Sequence, residues 1–463
     1  MNKLSPALAL ALVTLFAPAC TTTEKTAAPA SLIAQETGAL NAPDAWAFGP
    51  EVDGVVADTW AGVISDDALL ALMEEALAAN PSLRASAESV RRSEAFLRQS
   101  RSGLLPSVGA SAGATGSSDL EEFDLTERYS ASLDASWEAD LWGAIRSDIL
   151  ASEYDLQSAQ AVYRASRESL AASVARAYVF AIDARHQVDL ARATLTAQEE
   201  TLRIVNVRYD LGAVDRREQV LAESDVASAR DSLELALASQ RSAIRAMEVL
   251  LGRYPNGTMT VPDALPVVVD VVLAGQPADL LRRRPDVLSA EANVRAAFAN
   301  TALTKASRWP SLSLSGGISS ATSEIGDVLD PAALALSLGL RLADTLFDGG
   351  LTDARIEAAE ASGQIALANY GSAVLDAYAD VEGRLDDVET LRNRSAFVET
   401  AAANARETLQ LAEIQYKEGA IDLLDVLTFR QRSFQADRTL LSLRRSEIES
   451  RITLYLALGG AIE

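Results

Sequence analysis

The stretch Tyr129-Ser-Ala-Ser-Leu-Asp-Ala-Ser-Trp-Glu138 decides the fold. Tyr129, Ala131, Leu133, Ala135 and Trp137 alternate with Ser130, Ser132, Asp134, Ser136 and Glu138, so a strand here has one apolar face with an aromatic at each end and one polar face. A counterpart at 332–342 alternates Leu334, Leu336, Leu338, Leu340 and Leu342 with Ala335, Ser337, Gly339 and Arg341. A strand-like segment precedes each, 107–115 and 311–319. Alternation of this kind fits a soluble sandwich as well as a membrane β-barrel. Four strands cannot close a barrel, since the smallest have about eight, and lipid tolerates no open edge. A barrel must then be shared between chains.

The start of the chain favours the membrane. Lys3 is followed by an apolar run over 4–16, interrupted by Ser5, Pro6 and Thr14, and then by Ala17-Pro18-Ala19-Cys20. This reads as a signal peptide, too short to span a bilayer. Small residues before Cys20 resemble the lipobox of bacterial lipoproteins, in which the cysteine becomes the lipidated first residue; Ala17 stands where Leu is usual. The alternative is a plain signal-peptidase site with Cys20 incidental. No later stretch has the roughly 18 apolar residues of a membrane helix, so further contact with lipid falls to the strands.

Composition narrows the function. The 463 residues carry 65 acids against 41 bases, a formal charge of −24, with one Cys and one His. Such an acidic excess, without a basic stripe interleaved with aromatics, argues against nucleic acid. One Cys excludes an intrachain disulfide or a Cys-based zinc site, and His186 alone leaves no reserve for a histidine metal centre or a Ser/His/Asp system. P-loop, His-Glu-x-x-His and Gly-x-Ser-x-Gly patterns are absent, so no enzyme, cofactor or metal is expected.

The chain repeats itself. Pro81/Pro285, Val90/Val294, Arg91/Arg295, Pro106/Pro310, Ser107/Ser311 and Gly113/Gly317 match at an offset of 204. Tyr209/Tyr416, Gly212/Gly419, Ala213/Ala420, Asp215/Asp422 and Gly252/Gly459 match at 207. Each half orders a helix (67–102 and 285–307), two strands, a long Pro-free Ala-rich region (144–209 and 352–416) and a second long helix (215–251 and 422–458). Continuous helices over the Ala-rich regions would be roughly 100 Å long. Leu233, Leu237, Ile244, Met247 and Leu251, and likewise Leu441, Ile448, Ile452 and Tyr455, form coiled-coil seams. The division is a signal peptide (1–19), an N-terminal tether and extended segment (20–66), repeat 1 (67–252), a Pro-rich linker with one short Val-rich strand (253–276) and repeat 2 (277–463).

Gly275-Gln-Pro-Ala-Asp-Leu-Leu-Arg-Arg-Arg-Pro-Asp-Val287, Trp137-Glu-Ala-Asp-Leu-Trp-Gly143 and Leu346-Phe-Asp-Gly-Gly350, with the element order and lipoprotein-like start, resemble the TolC-like outer membrane factors, lipoprotein branch related to OprM and NodT. The resemblance covers nearly the whole mature chain. It implies a mainly α fold with a membrane β-barrel, in which a homotrimer forms a 12-stranded barrel in the bacterial outer membrane and a 12-helix periplasmic tunnel, joined at an equatorial region. It further implies the exit duct of a tripartite efflux system for small molecules, anchored in outer membrane lipid. Its partners would be a periplasmic adaptor protein and, through it, an inner-membrane pump of the resistance-nodulation-division or ABC type. The same architecture serves type I protein secretion, and a soluble periplasmic coiled-coil scaffold is the reading from another class.

Both helix–helix tips carry Gly and then acid-x-x-acid, Asp215-Arg-Arg-Glu218 and Asp422-Leu-Leu-Asp425, which fits a capping box. The family resemblance adds that the second tip narrows the periplasmic mouth and that acids there form a ring. Asp425 keeps the first ring position, Thr428 replaces the second acid, Ile421 stands where some members have a locking Arg, and Tyr416 matches the Tyr of that lock. The expected periplasmic gate is therefore Asp422, Asp425 and Tyr416. Trp137 is expected in an interfacial girdle, whereas Trp142 and Trp309 fit either a girdle or the equatorial core. Arg282, Arg283 and Arg284 are expected in salt bridges around a helix start.

Overall fold

The computed structural model describes residues 29–40, 43, 45–48, 56–57, 59–118, 125–268 and 274–460, so the signal peptide and Cys20 lie outside the described residues. Helix α1 (Pro29–Ala39) is followed by β1 (Ile64–Ser65), α2 (Asp67–Ala79), α3 (Pro81–Ser102), β2 (Ser107–Ser118), β3 (Leu125–Ala139), α4 (Ala144–Asp210) and α5 (Arg216–Leu250). After β4 (Val267–Val268) and the single-turn α6 (Leu280–Arg283) come α7 (Pro285–Ala306), β5 (Ser311–Thr322), β6 (Leu334–Ala343), α8 (Leu351–Lys417) and α9 (Leu423–Ala457). The matching helices and first strands have equal lengths, 22 residues in α3 and α7, 12 in β2 and β5, 67 in α4 and α8 and 35 in α5 and α9, whereas β3 has 15 and β6 has 10.

Three details differ from the sequence expectations. The segment 20–66 is not extended throughout, because α1 packs on α8: Thr37 Oγ1 lies 3.2 Å from the Tyr370 hydroxyl, and Glu36 fills the space over Gly371. The helix expected over 67–102, with Pro81 placed to restart or kink it, is two helices: it breaks at Asn80 (ψ 123°), since Pro81 disfavours the helical region for the residue before it, and restarts at Pro81. The strands also run past the alternating stretch, with Ser118 opposite Leu125 in the β2–β3 ladder and Thr322 opposite Tyr129 in the β3–β5 ladder.

Asn80 turns that break into a joint. Its Oδ1 accepts from the N–H groups of Ser82 and Leu83, starting α3, while its Nδ2 donates to the Leu250 carbonyl at the end of α5 (2.9 Å). In the second half Arg284 occupies the same place, donating to the Ala457 carbonyl at the end of α9 (3.0 Å) and to Asp286 and Asp380. Arg283 reaches the carbonyls of Ala57 and Gly460, so Arg283 and Arg284 both serve structure at this helix start. Asn80→Ala removes a cap and a cross-helix bond; we expect a loss of about 1–2 kcal/mol, read as a lower thermal midpoint.

The main core lies midway along the long helices, where Tyr178 and Ile182 of α4 meet Met247 and Leu251 near the end of α5 and Ile452 and Leu454 of α9. The linker strand β4 pairs with β1, Ile64 opposite Val268.

At the other end, β2-β3-β5-β6 form one antiparallel sheet in that order. Its register puts Ala110, Leu133, Ile318 and Leu336 in one row, and Val108, Ala135, Gly316 and Leu338 in the next. The alternate rows read Ser111, Ser132, Ser319, Ala335 and Gly109, Asp134, Gly317, Ser337. Through the middle of the sheet one face is therefore apolar, with Ser320 and Thr322 toward one end, and the other is small or polar and carries Arg128, Asp134 and Arg341. Leu336 and Leu338 are 83% and 82% exposed within the single chain.

Candidate functional site at the helix tips

The α4–α5 and α8–α9 hairpins turn at the ends remote from the sheet. Each first helix closes with the same pair of bonds, Gly212 N–H to Tyr209 O with Ala213 N–H to Arg208 O, and Gly419 N–H to Tyr416 O with Ala420 N–H to Gln415 O. Each second helix opens on an Asp cap: Asp215 accepts from the Glu218 N–H (3.1 Å) and Asp422 from the Asp425 N–H (3.0 Å). The cap half of the box is thus present in both tips. The return bond from Glu218 or Asp425 is not.

Asp422, Asp425 and Tyr416 are brought to one tip but face differently. Asp425 is exposed, and its carboxylate makes no hydrogen bond or ion pair among the described residues. Thr428, one turn on, is also exposed, with its hydroxyl bonded back to the Leu424 carbonyl (2.8 Å). Tyr416 points inward and is 7% exposed, packed with Leu423, Val426 and Leu427 of its own hairpin and Val205 and Ala222 of the other. Burial pushes its hydroxyl above the ordinary tyrosine value. Ile421, at the position of the missing arginine, packs against this cluster.

Two arginines overlooked in the sequence join the hairpins. Arg208 of α4 lies over the Tyr416 ring, 4.3 Å from its centre, and donates to the Tyr416 carbonyl (3.3 Å). It precedes the repeated tyrosine Tyr209/Tyr416, but the second half has Gln415 at its place, so the repeat gives it no counterpart. Arg430 of α9 is buried between both hairpins, and nothing in its helical setting marks it.

At the sheet end, the Trp137 indole donates to the Leu104 carbonyl (3.0 Å) and the Trp142 indole to the Pro310 carbonyl (2.8 Å). Trp142 and Trp309 stack 5.3 Å apart at the strand–helix junction, exposed and outside the main core. Among the described residues no helix is long and apolar enough to cross a membrane.

The family model for outer membrane efflux proteins matches residues 72–253 and 277–460. The chain belongs to that family. This outer membrane efflux protein is 29% identical over 451 residues to the pyoverdine export outer membrane protein OpmQ of Pseudomonas aeruginosa, covering 91% of each chain. It is 26% identical to the cation efflux system protein CusC of Escherichia coli K12, covering 87% of this chain and 88% of CusC. The open-state structure of the Neisseria gonorrhoeae channel MtrE superposes with a TM-score of 0.80 at 27% identity, over 91% of this chain and 96% of that one. The family is one of non-enzymatic channels of the outer membrane, and the resemblance drawn from the sequence motifs is correct.

Proposed function

We propose that this outer membrane efflux protein is the exit duct of a tripartite system that expels small molecules. The observation that carries this reading is the four-stranded sheet, apolar on one face and open at both edges, β2 and β6. Those edges need partners in lipid, and antiparallel order lets β6 of one copy pair with β2 of the next. Three copies, the number implied by the family resemblance, give a 12-stranded barrel above a tunnel of 12 long helices. Tyr129 and Trp137 mark the ends of the apolar face about 26 Å apart along the strand, which suits an apolar band of roughly 25 Å.

In this reading 1–19 is the signal peptide, 20–66 the N-terminal tether and extended segment, 67–252 and 277–463 the duplicated repeats, and 253–276 the linker of the equatorial region. Cys20 carries the lipid. A periplasmic adaptor and an inner-membrane pump complete the system.

The tip forms the gate. Asp425 supplies a ring of three unpaired carboxylates that attracts cations, Asp422 caps the helix that presents it, and Tyr416 holds the two hairpins together from inside. The test is conductance of the purified protein in planar lipid bilayers. Wild type should show small cation-selective openings, and Asp425→Ala larger ones with weaker selectivity. No conductance in either, from folded oligomers, would remove the duct; unchanged selectivity in the variant would remove the ring.

A further inference from the structure

Arg430 is an unusual residue to find inside a tunnel wall. It is 5% exposed, lies in α9 less than two turns from Asp425, and meets groups from both hairpins. One terminal nitrogen bonds the Thr201 hydroxyl (2.6 Å), the Ala197 carbonyl (3.2 Å) and the Gln198 side chain (3.3 Å), all on α4. The other bonds Glu413 of α8 at 2.6 Å. Asp225 of α5 is close enough to feel its charge, so one guanidinium addresses all four long helices. A buried guanidinium is tolerated only where fixed partners replace its water, and here most of those partners belong to the opposite hairpin.

We infer that Arg430 is a latch that sets the angle between the α8–α9 hairpin and the α4–α5 hairpin, and thereby the position of the tip that carries Asp425. Swinging the second hairpin away from α4 strips Arg430 of Thr201, Gln198 and Ala197 together while leaving Glu413 on its own hairpin. The cost of that swing is concentrated at one side chain. Arg208 over Tyr416 joins the same hairpins nearer the turn, but its side chain is only partly buried and it engages Tyr416 alone on the other hairpin, through the ring and the backbone carbonyl. Arg430 is a positioning residue, acting on the gate through the helix that bears it.

This inference deepens the duct reading above, and its test has one arm that does not depend on conduction. In the full-length oligomer with Cys20 lipidated or replaced by Ser, spin labels at Leu211 and Leu424, exposed residues of the two tips, report the distance between hairpins. Arg430→Met should broaden and lengthen that distance, and Arg430→Lys should restore part of the wild-type distribution. In bilayers, Arg430→Met should raise open occupancy roughly ten- to hundredfold, the factor carried by a lost hydrogen bond to a charged group. If Arg430→Met does not assemble, Thr201→Val and Glu413→Gln each remove one partner from a folded protein. Thr201→Val should loosen the tip, whereas Glu413→Gln, whose partner moves with it, should not. Unchanged distances in both Arg430→Met and Thr201→Val overturn the latch. Widened tips without conduction in any variant uphold the latch and overturn the duct.

Discussion

Arginine at Leu336 or Leu338 should keep the protein out of the membrane if the duct reading holds, whereas arginine at Ser337 between them should not. The β5–β6 ladder places Leu336 opposite Ile318 and Leu338 opposite Gly316, on the apolar face, while Ser337 sits opposite Gly317 on the small polar face. A charged side chain near the middle of a lipid-facing strand costs about 2–4 kcal/mol per copy. In an oligomer every copy pays it, and the insertion equilibrium moves by several powers of ten. At Ser337 the added guanidinium enters water and joins Arg341, already on that face. Heat-modifiable oligomer in outer-membrane fractions is the readout, with Leu336→Arg and Leu338→Arg absent and Ser337→Arg present. The opposite pattern would mean that the sheet is inside out.

The second large effect is expected at the paired glycines that end the repeats. Gly252 has φ +72° and a side-chain carbon there would sit 2.8 Å from the Ala79 carbonyl oxygen; Gly459 has φ +102° and would place it 2.9 Å from Arg283 Cβ and 3.0 Å from Arg283 C. Both are blocked twice, by backbone conformation and by a neighbour that precedes a joint residue, Asn80 or Arg284. Backbone strain of about 1–3 kcal/mol adds to about 1–3 kcal/mol of overpacking. Gly459→Val should therefore lower the thermal midpoint sharply and reduce the assembled fraction, with Gly252→Val close behind. Gly383, in open space on the exposed side of α8, is the control: alanine there should stabilise by about 1 kcal/mol. Equal behaviour at all three positions would show that the two joints carry no special strain.

The faces of the sheet and the long helices were legible because each follows from periodicity along the chain. Ser130 to Trp137 alternates without a break, and no proline interrupts α4 or α8. The caps at Asp215 and Asp422 were legible for the same reason, since a cap acts over three residues. What stayed hidden depends on residues far apart in sequence. Arg430 and Thr201 are separated by 229 positions, and a buried arginine looks like any other helical arginine until its partners surround it. Helix α1 was missed because so short a segment is marginal by itself and is held by Tyr370 and Gly371 on a distant helix. Tyr416 was placed in the right tip, but its inward direction comes from packing against the other hairpin.

The equal lengths of the matching helices define where this molecule tolerates change. Adding one residue to α4 or α8 would turn everything beyond it by about 100° and shift it by 1.5 Å, so each 67-residue helix works as a ruler whose graduations must agree with its counterpart. The halves differ in length where the second strand gives way to the long helix: 140–143 separates β3 from α4, whereas 344–350 separates β6 from α8, and the offset between matching residues changes there from 204 to 207. Divergence since the duplication has thus been absorbed on the side of the long helices remote from the tips, leaving the helical gauge untouched. A peptide grafted beside Glu324 would be carried there as cargo, while the same graft in mid-helix would put the two halves out of step.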